Sequence, residues 1–130
     1  MTATKLTEKA IKLIEGKNFA CLATLLSDGS PHVTPMWIDR EDNTVLMNTA
    51  IGRVKQRNMI RDPRVSITVT DSENPYDRII IHGRVIDQTQ EGADAHIDKL
   101  AKKYTGANKY QKSSPAEKRI IIRIEPTLII

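Results

Sequence analysis

The amino-acid sequence predicts a mainly β fold, a small antiparallel β-barrel with peripheral helices. Six short stretches have the apolar content or the alternation typical of β-strands, and most are joined by short polar turns. Only three segments have the spacing of helices, which is too few for a parallel sheet built from βαβ units. A barrel of this size cannot enclose a large ligand, so we expect a binding site on its outer wall or between two copies.

The three helices are predicted from their end signals. Thr7 can cap the N-terminus of the first helix, and Gly16 can end it. A second helix, short and basic, should end before Pro63, because helical backbone is disfavoured directly before a proline. The third should cover residues 92–104 and be followed by a mobile loop over residues 105–118.

Turns and prolines locate the strands. Asp28-Gly29 separates two apolar stretches, a pattern typical of a β-hairpin. Pro31 and Pro35 cannot donate to a sheet ladder, which predicts an edge strand or an interrupted one. Gly83 in a later strand indicates a bulge or the close approach of another backbone. A polar turn is predicted at residues 39–43, and the six strands cover residues 19–26, 31–38, 44–48, 65–70, 79–86 and 119–130.

Length and composition limit the class of protein. The 130 residues suit one domain, residues 1–130, and 20 Lys and Arg against 16 Asp and Glu give a net charge of +4, which permits an anionic ligand. One Phe, one Trp and three Tyr offer little stacking surface, so no nucleic-acid partner is expected. The N-terminus lacks the pattern of a signal peptide and no apolar run could cross a bilayer, so we expect a cytoplasmic protein without a membrane partner.

No motif marks a metal site or a catalytic side chain, so the catalytic residue is unknown at this stage. His32, His82 and His96 lack the spacing of metal ligands, and His82 is predicted to be a half-buried packing residue of an apolar strand. Cys21 has no partner for a disulfide within the chain and is predicted to be a small buried apolar residue. A protein of this kind could leave its chemistry to a bound cofactor.

The most informative segment, residues 48–64, joins two predicted strands through a basic loop and a short helix. Arginine forms forked, charge-assisted hydrogen bonds with phosphate, and a helix N-terminus adds free backbone N–H groups. A phosphate-binding site and a solvated basic helix face explain the segment equally well. It contains five basic residues and one acid, namely Arg53, Lys55, Arg57, Arg61, Arg64 and Asp62.

Residues 19–38, 48–49 and 52–65, in this order and spacing, resemble the pyridoxamine-phosphate-oxidase-like, FMN-binding split β-barrel family. The resemblance covers nearly the whole chain and implies a six-stranded antiparallel split β-barrel. It also implies a homodimer with one cofactor in each of two clefts between the subunits. Further similarity, to the family's branch of coenzyme F420-dependent oxidoreductases, lies in residues 74–76, 81–85 and 104–106.

By matching positions, the resemblance implies which residues bind the cofactor. Arg53 and Lys55 would hold its phosphate. Trp37 could lie against the tricyclic ring or be an ordinary core aromatic residue. The other positions would be Arg57 and Asn58 beside the phosphate, Asn48 and Thr49 at the ribityl chain or ring edge, Pro35 and Met36 along the ring with Trp37, and Tyr76 and Arg78 reaching across from the partner subunit.

The resemblance implies an oxidoreductase that uses a bound deazaflavin, coenzyme F420, to transfer a hydride to a small conjugated or aromatic acceptor. FMN has the same phosphate, ribityl chain and tricyclic framework, so Arg53 and Lys55 do not distinguish the two cofactors. An FMN-dependent oxidoreductase of the same fold is therefore the alternative. A non-catalytic flavin- or deazaflavin-binding protein and a basic nucleic-acid-binding barrel are the other classes left open.

Overall fold

Three helices and seven strands follow one another in the computed structural model, which describes residues 2–130. None of these helices combines the length and the apolar character needed to cross a bilayer. In chain order the elements are α1 (Glu8–Glu15), β1 (Ala20–Leu25), β2 (Pro31–Met36), β3 (Asp39–Glu41), β4 (Thr44–Ala50), α2 (Val54–Arg61), β5 (Arg64–Thr70), β6 (Arg78–Thr89), α3 (Ala93–Thr105) and β7 (Arg119–Ile129).

All seven strands belong to one antiparallel sheet with the order β2-β1-β5-β6-β7-β4-β3. The sheet is not closed, because β2 and β3 are its two edges. The predicted mainly β, antiparallel fold is therefore confirmed, with seven strands in place of six. The additional strand is β3, which lies in the predicted polar turn and pairs with residues 44–46 of β4. Its three polar residues carry no apolar alternation that could have marked it as a strand.

Several local predictions are confirmed. The hydroxyl of Thr7 accepts the backbone N–H of Ala10 and so caps α1, and Gly16 is the C-cap residue at its other end. The proline-containing strand β2 is an edge strand, as its missing N–H groups require. A bulge interrupts the pairing of β6 with β7 at Gly83, where an added Cβ would lie 2.7 Å from Cγ2 of Ile124. Only glycine allows the two strands to approach so closely there.

One face of the sheet encloses the core. Alternate residues of the strands point inwards, among them Leu22, Ile67, Ile81 and Ile122, which are almost completely buried. Helix α1 adds Ile14 to the same cluster. The curvature of the sheet around this cluster brings the end of edge strand β2 near β4, and this arrangement positions the site described below.

The opposite face of the sheet corrects two predictions. Cys21 and His82 are exposed, although both were expected to be buried or half-buried. The reason is strand parity, since Ala20 and Leu22 take the inward positions of β1 and leave Cys21 outside. We call this surface the outer face. It consists of two cross-strand rows without Asp, Glu, Lys or Arg, which are Pro35, Cys21, Thr68 and Ile80, and Val33, Ala23, Ser66, His82 and Leu128.

Candidate functional site

An open cleft of ≈ 250 Å³ lies where the end of β2 comes near β4. Strand β3 pairs only with residues 44–46 of β4, so residues 47–50 have β7 on one side and no strand on the other among the described residues. We call this space the seam cleft. Its walls come from both ends of the open sheet, from the start of α2 and from α3, and the lining residues are Phe19, Pro35, Met36, Trp37, Asn48, Arg53, Lys55, Ile97, Tyr110 and Arg119.

Six of the nine predicted site residues line the seam cleft together. They come from two segments that are distant in sequence and that the fold brings side by side, namely Pro35, Met36 and Trp37 from the end of β2, and Asn48, Arg53 and Lys55 from β4 and α2. The arrangement separates charged from apolar contacts, since the two cations lie on the α2 side and Trp37 on the β2 side.

The other three predicted residues, Thr49, Arg57 and Asn58, do not line the cleft. Thr49 follows Asn48 in a strand and therefore points to the opposite face, where it is fully buried. Asn58 is 1% exposed and donates from Nδ2 to the hydroxyl oxygen of Thr24, 3.0 Å away. Arg57 is exposed on the outer side of α2.

Local geometry presents Arg53 and Lys55 to the cleft. Gly52 has a φ of 93°, which favours glycine, and its N–H donates to Oε1 of Gln56, so that the chain turns sharply into α2. Arg53 is the N-cap residue, and its side chain makes no capping hydrogen bond. Burial lowers the pKa of Lys55, and the positive charges of Arg53 and Arg119 lower it further. The cleft is therefore an electropositive site that a bound anion would stabilise.

Arg119, the first residue of β7, is a third cation that the sequence did not reveal. Its side chain is only 4% exposed, and its guanidinium lies 4.8 Å from the centre of the Tyr110 ring. Nε donates to Oδ1 of Asn48 over 2.9 Å, and Nη1 donates to Oε2 of Glu117 over 3.1 Å. The only sequence signal was one arginine opening an otherwise isoleucine-rich strand.

Glu117 is the carboxylate next to these cations. Its Oε2 lies 3.1 Å from Nη1 of Arg119 and its Oε1 lies 3.7 Å from Nη2 of Arg53, and its side chain is 5% exposed. Burial opposes its ionisation, but hydrogen bonds from Ser113 and Arg119 outweigh burial and lower the pKa to about 2. Three cations and one carboxylate leave two positive charges at this end of the cleft, which fits an anionic group such as a phosphate.

The β2 end of the cleft is aromatic. Trp37 stacks on Tyr104 with ring centres 5.4 Å apart and planes 4° apart, and it meets Tyr110 edge-on at 6.4 Å. Tyr104 is fixed in turn, because its hydroxyl donates to the carbonyl of Asn18 over 2.6 Å. Trp37 thus packs in an aromatic cluster and also lines the cleft, so its two sequence interpretations do not exclude each other.

Comparison with known proteins places this geometry in a family. Residues 6–130 match the pyridoxamine 5'-phosphate oxidase family. A solved structure of an F420 reductase is 30% identical, with 92% of this chain and 94% of that chain covered and a TM-score of 0.80.

Two more distant structures share the fold. A conserved hypothetical protein from Mycobacterium tuberculosis is 24% identical, with coverage of 98% and 84% and a TM-score of 0.72. HupZ of Group A Streptococcus is 19% identical, with coverage of 95% and 90% and a TM-score of 0.66. The match over residues 6–130 identifies the chain as a member of the pyridoxamine 5'-phosphate oxidase family.

Proposed function

We propose that this protein is an oxidoreductase that binds the deazaflavin coenzyme F420 in the seam cleft and serves hydride transfer to a small conjugated or aromatic acceptor. The observation that carries the proposal is one cleft lined both by three cations, Arg53, Lys55 and Arg119, and by Trp37 of a stacked aromatic pair. Similarity to an F420 reductase over 92% of the chain favours the deazaflavin over FMN.

The residues of the cleft fit such a cofactor by the chemistry of their donors. Arg53 and Lys55 would hold the phosphate, and the lowered pKa of Lys55 would rise again once an anion lay beside it. Met36 and Trp37 would lie along the tricyclic ring and exclude water from one of its sides. The bound deazaflavin supplies the hydride chemistry, and the protein supplies binding, orientation and charge.

The same cleft supports a homodimer. Its volume of ≈ 250 Å³ lies below the roughly 300–1,000 Å³ usual for sites that bury most of a ligand. Pro35 lines the cleft and also belongs to the uncharged outer face, so a second copy on that face would lie beside the cleft opening. Tyr76, 89% exposed, would be free to reach the partner's cleft. We therefore propose that each cofactor lies between two subunits.

Titration of the purified protein with coenzyme F420 and, separately, with FMN tests the proposal. We expect quenching of deazaflavin fluorescence at lower ligand concentration than the corresponding change for FMN. A yellow protein that keeps FMN through purification and does not bind added F420 would indicate that the cofactor is FMN and not the deazaflavin. Absence of binding by either cofactor would overturn the proposal.

A second measurement separates an oxidoreductase from a carrier. Reduced cofactor bound to the protein is mixed with an enone or a quinone in a stopped-flow instrument, and its oxidation is followed by absorbance. We expect faster oxidation with the acceptor than without it and faster oxidation than for free reduced cofactor. Equal rates would indicate a binding protein without turnover. Tighter binding of nucleic acid than of cofactor at physiological salt would favour the nucleic-acid-binding class.

A further inference from the structure

We propose that Arg119 is the third cation that contacts the cofactor phosphate, and that Asn48 is a positioning residue that orients Arg119 and has no N–H left to donate to the cofactor. The inference rests on the proposed function, since it assigns two side chains to the anionic end of the same cleft. It changes the role of Asn48, which the family resemblance places at the ribityl chain or ring edge.

The side-chain amide of Asn48 is held by hydrogen bonds within the protein. Its Nδ2 donates to the carbonyl of Ala93 over 3.0 Å and lies 3.1 Å from Nδ1 of His96. Its Oδ1 accepts from Nε of Arg119. An amide has two N–H donors, and both are taken by the protein. The side chain of Asn48 therefore has no donor left for a ligand, although it lines the cleft.

The environment of His96 fixes the direction of these bonds. Nε2 of His96 lies 3.1 Å from Oδ2 of Asp39. Burial raises the pKa of Asp39, but hydrogen bonds from the ring of His96, from the backbone N–H of Arg40 and from the side chain of Lys99 outweigh burial and hold the pKa well below its usual range. An ionised carboxylate only accepts, so Nε2 of His96 donates to Asp39. The carbonyl of Ala93 also only accepts, so the nitrogen end of the Asn48 amide faces Ala93 and His96, and Nδ2 donates to Nδ1. The oxygen of Asn48 must then face Arg119.

The guanidinium of Arg119 is consequently held by two of its three nitrogens. Nε is bound to Asn48 and Nη1 to Glu117, whereas Nη2 has no hydrogen-bond acceptor within residues 2–130. Because Arg119 lines the cleft and lowers the pKa of Lys55, its charge lies close to that ammonium. The free edge of a fixed guanidinium beside Lys55 and Arg53 is suited to a phosphate oxygen.

The experiment measures how much the phosphate contributes to binding. Dissociation constants are determined for coenzyme F420 and for its phosphate-free chromophore, with FMN and riboflavin as a second pair. The ratio compared is the dissociation constant of the phosphate-free ligand divided by that of the phosphate-bearing ligand. We expect Arg119→Gln to reduce this ratio about tenfold or more, and Asn48→Ala to reduce it about threefold to tenfold. Arg119→Lys, which keeps the charge but not the forked geometry, should reduce the ratio less than Arg119→Gln.

Arg123→Gln is the matched control, because Arg123 lies on the same strand but pairs with Asp87 away from the cleft. It should leave the ratio unchanged. Equal weakening of phosphate-bearing and phosphate-free ligands would overturn the inference, since that pattern indicates a structural role for Arg119 and direct ring or ribityl contact for Asn48. If Arg119→Gln does not fold, an unchanged ratio in Arg119→Lys and in Asn48→Ala overturns it. A wild-type protein that binds neither ligand pair would refute the proposed function as well.

Discussion

Lys55 offers the sharpest test of the anionic end of the cleft. Replacing it with methionine keeps most of the side-chain stem and removes the charge. A charge-assisted hydrogen bond to phosphate contributes about 1.5–3 kcal/mol, so the dissociation constant of the cofactor should rise about 10- to 150-fold. The stability of the fold should not decrease, because no carboxylate within residues 2–130 pairs with Lys55, and burial, Arg53 and Arg119 all disfavour its charge. The melting temperature of the ligand-free protein should therefore stay the same or increase.

Arg57→Met is the control for this variant. It removes one positive charge from the same helix, but Arg57 is exposed and does not line the cleft. Fluorescence titration of both variants and the wild type gives the three dissociation constants, and thermal melting reports the fold. A loss smaller than about tenfold for Lys55→Met would refute direct phosphate contact. An equal loss in Arg57→Met would mean that the positive field of α2, and not a contact, attracts the ligand.

Three further predictions concern neighbouring features. Arg53→Met should weaken cofactor binding about tenfold with little change in melting, because Arg53 is 45% exposed and its nearest carboxylate partner lies 3.7 Å away; titration alongside Lys55→Met checks this. If the proposed homodimer forms through the outer face, Thr68→Glu places a charge there and should produce monomers that bind cofactor more weakly, measured by light scattering and titration; an intact dimer would contradict the proposed interface. Glu117 has a folded pKa of about 2, below its unfolded value, so it stabilises the fold above about pH 5 and this contribution is lost as the pH falls towards 2. Urea unfolding at pH 7 and pH 3 should show a smaller stability difference between the two pH values for Glu117→Gln than for the wild type.

Local sequence signals predicted the parts of the fold that local chemistry determines. The capping hydroxyl of Thr7, the edge position of the strand with Pro31 and Pro35, and the close approach at Gly83 each depend on what one residue type can or cannot do. Strand parity was not accessible in the same way. Both faces of β1 are apolar, so the sequence does not tell whether Leu22 or Cys21 points into the core.

The site was predictable to the extent that it lies within one segment. Arg53 and Lys55 stand out in a short basic run, and both reach the cleft. Thr49 does not line the cleft beside Asn48, because adjacent residues of a strand point to opposite faces. Arg119 lies 71 residues from Asn48 in the chain, and no local pattern signals a hydrogen bond over that separation. Only the pairing of β4 with β7 brings the two residues together.

We expect the open sheet to connect cofactor binding with assembly. An unpaired strand edge is a liability, because its free N–H and C=O groups can pair with other chains. Here Pro35 and Met36 at the end of β2 and Asn48 of β4 line the seam cleft, so a flat ligand with polar edges would lie against a part of the sheet that has no further strand beside it. A second subunit on the outer face would cover the neighbouring uncharged rows from Pro35 onwards. Ligand and partner would then bury adjoining parts of one surface, and binding of either should strengthen binding of the other.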